Sequence, residues 1–203
     1  MKQKSHHYHG EMGRWEPGAR ERLVIAAVDL FTELGYDDTT VSRIAERAGV
    51  TRSTFFRYFP DKRDVLAAGQ ETLSQLLAEG IAQAPSDVTT LGAVAAGLVS
   101  VSSAMGPMNR ELGPRLAAAV AASAELQERH VLKSVGLAAA MSDALIARGV
   151  AEVPAQLAAE LGVLAFSRGF AEWSETDRES EHNLAHYALA ALDDLRAASA
   201  TLG

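Results

Sequence analysis

A chain of 203 residues, 48% hydrophobic and 22% charged and without cysteine, has room for one large domain or two small ones. Wholesale disorder, a fibrous repeat, disulfides, thiolate metal centres and thiol nucleophiles are excluded. The net charge of −7 argues against a polyanionic partner until it is divided by position: residues 1–66 hold 11 Lys and Arg against 10 Asp and Glu, and residues 67–203 hold 8 against 16, the asymmetry of a small module that touches a polyanion joined to an acidic body that does not.

Residues 1–17 read as a flexible leader: Lys2, Lys4, Arg14 and the His6, His7 and His9 cluster form no secretory signal, so the expected compartment is the cytoplasm. No apolar run approaches the roughly 18 to 20 residues of a membrane span, and no membrane partner is expected. Leu23, Ala27, Leu30, Phe31 and Leu34 recur at helical spacing and predict a first helix from Gly18 to Leu34, closed by Gly35. Thr40 caps a short second helix with Val41, Ile44, Ala45 and Ala48 on one face, ended by Gly49. Thr51 caps a third through Phe59, which Pro60 stops, and Asp61 caps a long fourth toward Ala84. All six prolines are placed between periodic segments. Beyond Pro85, alanine and leucine without strand alternation predict helices over 88–105, 114–121, 124–148, 154–174 and 180–200. Pro154 suits a first helical position, and Thr176 with Glu179 forms a capping box. The fold class is all-α.

Two short helices joined by Ala48-Gly49-Val50 have the dimensions of a helix-turn-helix, whose second helix enters the DNA major groove. A plain helical hairpin shares that spacing; the residue types distinguish them. Arg52, Ser53, Thr54, Arg57 and Tyr58 are suited to base edges or phosphates, Phe55 and Phe59 to a core, and no Asp or Glu occurs from Val50 to Pro60. The T-x-x-x-I-A-x-x-A-G-V core at Thr40–Val50, the aromatic run ending in Tyr58-Phe59 and the D-K-x-x-[VL]-L at Asp61–Leu66 follow an A-x-x-L-F-x-x-x-G-[YF] helix at Ala27–Tyr36. Together they resemble the DNA-binding region of the tetracycline-repressor (TetR) family, over about a quarter of the chain.

The resemblance implies a homodimeric, all-α transcriptional regulator without enzymatic activity or cofactor. It implies a helix-turn-helix domain at 18–66 and a helical effector-binding and dimerisation domain at 67–203. Repression of a palindromic double-stranded operator would end when a small molecule binds the larger domain. Carried over by position, Arg52, Ser53 and Thr54 face the groove, with Arg52 reading a guanine and Thr54 pressing its methyl on a thymine. Thr40, Arg57, Tyr58 and Lys62 hold phosphates. Phe56 stands where the family often has Tyr, so it stacks or packs without a hydroxyl contact. Arg43 and Arg47 either meet phosphates or are solvated.

In the larger part, Phe166, Phe170 and Trp173 form one stripe, and Leu157, Leu161, Leu164 and Ala165 another on a different side of the same helix. Such a helix needs burial on two sides, which favours a partner subunit. The aromatic stripe is core, dimer interface or ligand-pocket wall. The expected dimer interface is Leu161, Trp173, Leu184, Tyr187 and Leu195. The effector-pocket candidates are Leu73, Leu77, Met105, Met108, Leu116, Phe166 and Phe170. Arg115, Arg129, His130 and Arg168 either orient an effector or are surface or ion-paired residues. His182 and His186, with Glu181, have a metal-compatible spacing but no third convergent ligand, so no metal site is expected. No GxSxG, HExxH, P-loop or dinucleotide fingerprint occurs. The alternative to a regulator is a helical small-molecule-binding protein or enzyme with a vestigial helix-turn-helix.

Overall fold

The computed structural model describes residues 18–176 and 182–201; the predicted leader, Glu179 and Glu181 lie outside them. The described chain runs α1 (Ala19–Leu34), α2 (Val41–Arg47), α3 (Arg52–Tyr58), a 3-10 turn (Lys62–Ala67), α4 (Gln70–Gln83), α5 (Thr90–Ser102), α6 (Pro107–Ala121), α7 (Ala124–Ala147), α8 (Glu152–Glu175) and α9 (Leu184–Ser199).

Leu23, Ala27 and Phe31 of α1 bury themselves against Ile44 and Ala45 of α2, Phe55 of α3, and Phe59. This core is not closed by the first three helices alone: Ala119 of α6 and Leu126 of α7 complete it. Helix α2 starts where the Thr40 hydroxyl accepts the Arg43 N–H at 3.3 Å. It ends in a turn through Gly49 at φ +66°, a left-handed conformation that glycine adopts without steric cost. Thr51 caps α3 in the same way, accepting from Thr54 N–H at 3.1 Å.

The second core joins α4, α5, α7, α8 and α9 through Leu77, Ile81, Val94, Leu98, Met141, Leu145 and Ala188. Small residues set how closely these helices approach. A Cβ on Gly169 of α8 would lie 2.5 Å from the Ala188 backbone of α9.

Four expectations need correction. The long fourth helix is broken: a 3-10 turn covers 62–67, and Gly69, at φ +76°, separates it from α4. The sixth helix begins at Pro107, a first-turn position, and Pro114 lies inside it. Proline removes one backbone hydrogen bond there, which burial of Leu112, Gly113 and Ala119 offsets. Thr176 is the C-cap of α8 rather than the start of α9, its hydroxyl donating to the Glu172 carbonyl at 2.7 Å; Asn183 caps α9, accepting from His186 N–H at 3.2 Å. Finally, α7 is long and apolar enough to cross a bilayer by length and composition, with a mean hydropathy of 1.3 over its best window. Alanine and glycine dilute the pattern and hide it from a search for unbroken apolar runs, and in the fold its Leu137, Ala138, Met141 and Leu145 are core.

Candidate nucleic-acid interface

Burial of Phe55 (0% exposed) and Phe59 on one side of α3 turns its other side outward. Arg52, Ser53, Phe56, Arg57 and Tyr58 are exposed, and Thr54 is half-buried. The Thr54 hydroxyl lies 3.0 Å from that of Thr51, so it is shared with the cap. Phe56 is 50% exposed and meets Phe55 edge-on at 5.6 Å between ring centres; it is neither core nor fully free. The Arg57 guanidinium lies over the Tyr58 ring at 5.1 Å, which holds two polar groups together at the end of α3. Thr40, at the start of α2, is exposed as well. Thr51, to which the sequence assigns only capping, is also exposed beside Arg52; no sequence signal separates those two roles.

Cations bonded to neighbouring protein groups help hold α2 and α3 in place. Arg22 of α1 donates Nε–H to the Ala48 carbonyl at 3.0 Å, fixing the turn. Arg47 makes a two-pronged ion pair with Glu33 of α1, both contacts at 2.8 Å; hydrogen bonding to Arg47 holds the Glu33 carboxyl below its usual range. Arg47 is thus ion-paired while its side chain stays exposed. Arg43 donates to the Asp38 carbonyl at 3.3 Å.

Lys62, expected at a phosphate, is engaged within the protein. Its Nζ donates to the carbonyls of Tyr36 at 2.6 Å, Thr39 at 2.9 Å and Asp37 at 3.4 Å, and it lies 4.0 Å from the centre of the Tyr36 ring. An ammonium has three donors, and all three point at the loop between α1 and α2.

Residues 23–68 match the family described as "Bacterial regulatory proteins, tetR family". This region of the chain is of the tetR type. It is 33% identical over 66 residues to the HTH-type transcriptional regulator BetI of Klebsiella pneumoniae (strain 342), a match covering 32% of this chain and 34% of that protein. It is 46% identical over 46 residues to the HTH-type transcriptional regulator TcmR of Streptomyces glaucescens, covering 23% and 20%. The matched stretch is thus about a third or less of the length of these relatives. The fold is similar over a longer span to the transcriptional regulator FadR of Bacillus subtilis, solved in complex with stearoyl-CoA: the TM-score is 0.55 at 22% identity, covering 86% of this chain and 96% of that one.

The tetR-type region is tied to the rest of the chain by charge as well as by its shared core. Asp29 of α1 pairs with Arg115 of α6, and Asp64 of the 3-10 turn pairs with Arg129 of α7 at 3.1 Å. Arg115 and Arg129 are therefore joints between helices. Lys133 of α7 donates to the Leu66 carbonyl at 3.2 Å. Burial, with Arg129 and Arg20 nearby, lowers its pKa to about 8.

The seven effector-pocket candidates are spread over more than one cluster, with Leu73, Leu77, Met105 and Phe166 sharing the second core. Leu73 and Leu77 belong to the second core, Leu116 packs on the first, and Met105, Phe166 and Phe170 pack around a third cluster of Trp173, Leu184 and Tyr187; Met108 is half-buried and belongs to none of the three. Helical periodicity reports that a face is buried, not against what. The same holds for the expected dimer interface. Trp173, Leu184 and Tyr187 cover one another within the chain, and Leu161 and Leu195 pack on the second core. Arg110 closes this third cluster, donating to the carbonyls of Trp173 at 2.9 Å and Thr176 at 3.1 Å. His182 and His186 are stacked at 3.9 Å, and no group of three or more His, Asp or Glu able to hold a metal occurs among the described residues.

Proposed function

We propose that this chain is a DNA-binding transcriptional regulator of the repressor kind. It acts in the cytoplasm as a homodimer on a palindromic double-stranded operator and is released by a small-molecule effector. Residues 18–66 serve as the DNA-binding domain and 67–203 as the effector and dimerisation domain. The observation that carries the reading is the outward side of α3. Arg52, Ser53, Arg57 and Tyr58 stand exposed on a helix whose inner side is locked by Phe55 and Phe59, and no carboxylate occurs from Val50 to Pro60. The cations nearby that could blur this assignment, Arg22, Arg47 and Lys62, are tied to other protein groups.

In this reading Arg52 makes the base contact. A guanidinium pairs with the two acceptors of guanine at about 1 to 3 kcal/mol of discrimination. Ser53 and Thr54 reach neighbouring edges, while Thr40, Arg57 and Tyr58 hold phosphates. Phe56 fills the edge of the groove with apolar surface. Two copies place their α3 helices at about one turn of DNA, roughly 34 to 36 Å. The effector acts through α6 and α7, the two helices on which the tetR-type region rests, and needs about 1 to 3 kcal/mol of coupling to release the operator.

Selection of bound sequences from random duplex DNA tests this. The expected result is an inverted repeat, with Arg52→Ala relaxing preference at one symmetric position in each half. Enrichment of no sequence by the purified dimer at low salt refutes it.

A further inference from the structure

We infer that residues 1–10 are a second DNA-contacting element, a basic arm that enters the minor groove beside the half-site read by α3. The inference rests on the regulator reading above and adds to it a contact outside the helix-turn-helix.

The charge of the leader is divided as unevenly as that of the whole chain. Residues 1–10 hold Lys2, Lys4, His6, His7 and His9 and no Asp or Glu, whereas Glu11 and Glu16 both fall within residues 11–17. With Met1 and Tyr8 as its only large apolar side chains, the first block has too little apolar surface to bury itself in a core. A block of one sign with that composition suits a polyanion. The fold sets the root of the leader beside the recognition helix. Gly18, the first described residue, caps α1, its N–H donating to the Glu21 carboxylate at 2.7 Å. The Arg20 guanidinium lies over the ring of Phe59 at 5.8 Å, and Phe59 ends α3. Arg22 donates to the Ala48 carbonyl at 3.0 Å, in the turn that leads into α3. The start of α1 thus touches both the approach to the recognition helix and its end, where Arg57 and Tyr58, the pair proposed for phosphates, directly precede Phe59.

Reach and residue type select the groove. With α3 in the major groove, the centre of the adjoining minor groove lies half of a turn of about 34 Å away, roughly 17 Å along the axis. The intervening residues 11–17 span up to about 23 Å when extended, at about 3.3 Å each. The basic block therefore reaches that groove from Gly18 without displacing α3. A narrow, A·T-rich minor groove has an enhanced negative potential that draws in Lys, Arg and His side chains, and Lys2, Lys4 and the three histidines are of those types. Gln3, between the two lysines, has the amide donors that the acceptors on the groove floor accept from.

Two measurements test the arm, each on the full chain and on its Lys2→Gln, Lys4→Gln double variant, with a chelator present so that metal held by the histidines plays no part. The first is selection from random duplex DNA. The wild type is expected to enrich an inverted repeat flanked on its outer sides by A·T pairs, and the double variant the same repeat with the flanking preference lost. The second is affinity for the selected duplex against salt. The variant loses four charges per dimer, so the slope of log affinity against log salt should be smaller by about 3 to 4, with binding about tenfold or more weaker at low salt. Equal slopes, or a flanking preference that the variant retains, overturn the inference. A smaller slope with no flanking preference in either protein puts the lysines on phosphates and overturns the groove assignment. A chain that enriches an inverted repeat with equal slopes in both forms loses the arm and keeps the regulator reading; a chain that enriches no DNA loses both.

Discussion

Replacing Lys62 by methionine keeps the side-chain stem and removes the ammonium, and it separates a structural from a phosphate-binding role. The two shorter bonds, at 2.6 Å and 2.9 Å, go to the partly buried carbonyls of Tyr36 and Thr39. Hydrogen bonds to a charged group contribute about 1.5 to 3 kcal/mol each, and partial solvent access puts both at the low end. The third bond, at 3.4 Å to an exposed carbonyl, adds little, and the Tyr36 ring at 4.0 Å adds about 0.5 to 1 kcal/mol. The loss is then about 3.5 to 4 kcal/mol, a large part of the roughly 5 to 15 kcal/mol that holds a domain folded. Urea titration followed by circular dichroism reads it as a lower midpoint, and the loss should be largely absent from Lys62→Arg, which retains a cation at the loop. The slope of log affinity against log salt on a bound operator should stay the same, because no phosphate contact is removed. An unchanged midpoint together with a slope smaller by about 1 would refute the reasoning and return Lys62 to the phosphate backbone.

Lys133 gives a pH signature. Its folded value of about 8 lies below the ordinary 10.5 because of burial, then Arg129 and Arg20. Between those values the unfolded chain binds the proton and the folded chain does not, so the penalty this group puts on the folded state is full below about 8 and is relieved as pH rises from about 8 to about 10.5. Lys133→Met should abolish the rise in stability that the wild type shows between about pH 8 and pH 9.5, read by urea titration at both pH values; identical pH profiles for the two proteins would count against it. Gly169→Ala drives a methyl into the Ala188 backbone and should cost about 1 to 3 kcal/mol of overpacking, read as a lower melting temperature; a thermally silent substitution would mean that α8 and α9 separate freely.

The helix-turn-helix was legible because what makes it is local. Thr40, Thr51 and Gly49 act on residues within four positions of themselves, and the spacing of Phe55 and Phe59 decides which side of α3 faces out. The carbonyl partners of Lys62 were not legible because they lie 23 to 26 residues earlier, in a loop with no periodic pattern. Arg115 is the ion-paired residue that the sequence allowed, but its partner Asp29, 86 residues away, has no local signal. In the larger part, the apolar stripes of α8 are legible as stripes, and of the three readings open for the aromatic one the structure takes core packing. Trp173, Leu184 and Tyr187 are buried by one another, while Leu157 and Leu164, equally periodic, are left outside. Which of two apolar faces a helix buries within its own chain depends on where α9 returns, and α9 returns over Gly169, whose missing side chain admits it. Nothing in the period of α8 encodes that choice.

The joints between the tetR-type region and the larger part explain how events in one would reach the other. Ala119 and Leu126 lie inside the core that holds α1, α2 and α3 together, so α6 and α7 cannot shift without opening that core or carrying the three helices with them. Opening exposes Leu126, fully buried now, at a cost of about 1.5 to 3 kcal/mol, and strains the pairs Asp29–Arg115 and Asp64–Arg129. Carrying the helices along bends the chain at the break between the 3-10 turn and α4, where Ala68 and Gly69 interrupt what would otherwise be a stiff helix. Concerted movement is the cheaper course, because it preserves every one of these contacts. A displacement of α6 or α7 is therefore passed on as a rotation of the whole recognition unit, leaving the arrangement of Arg52, Ser53 and Arg57 within it intact.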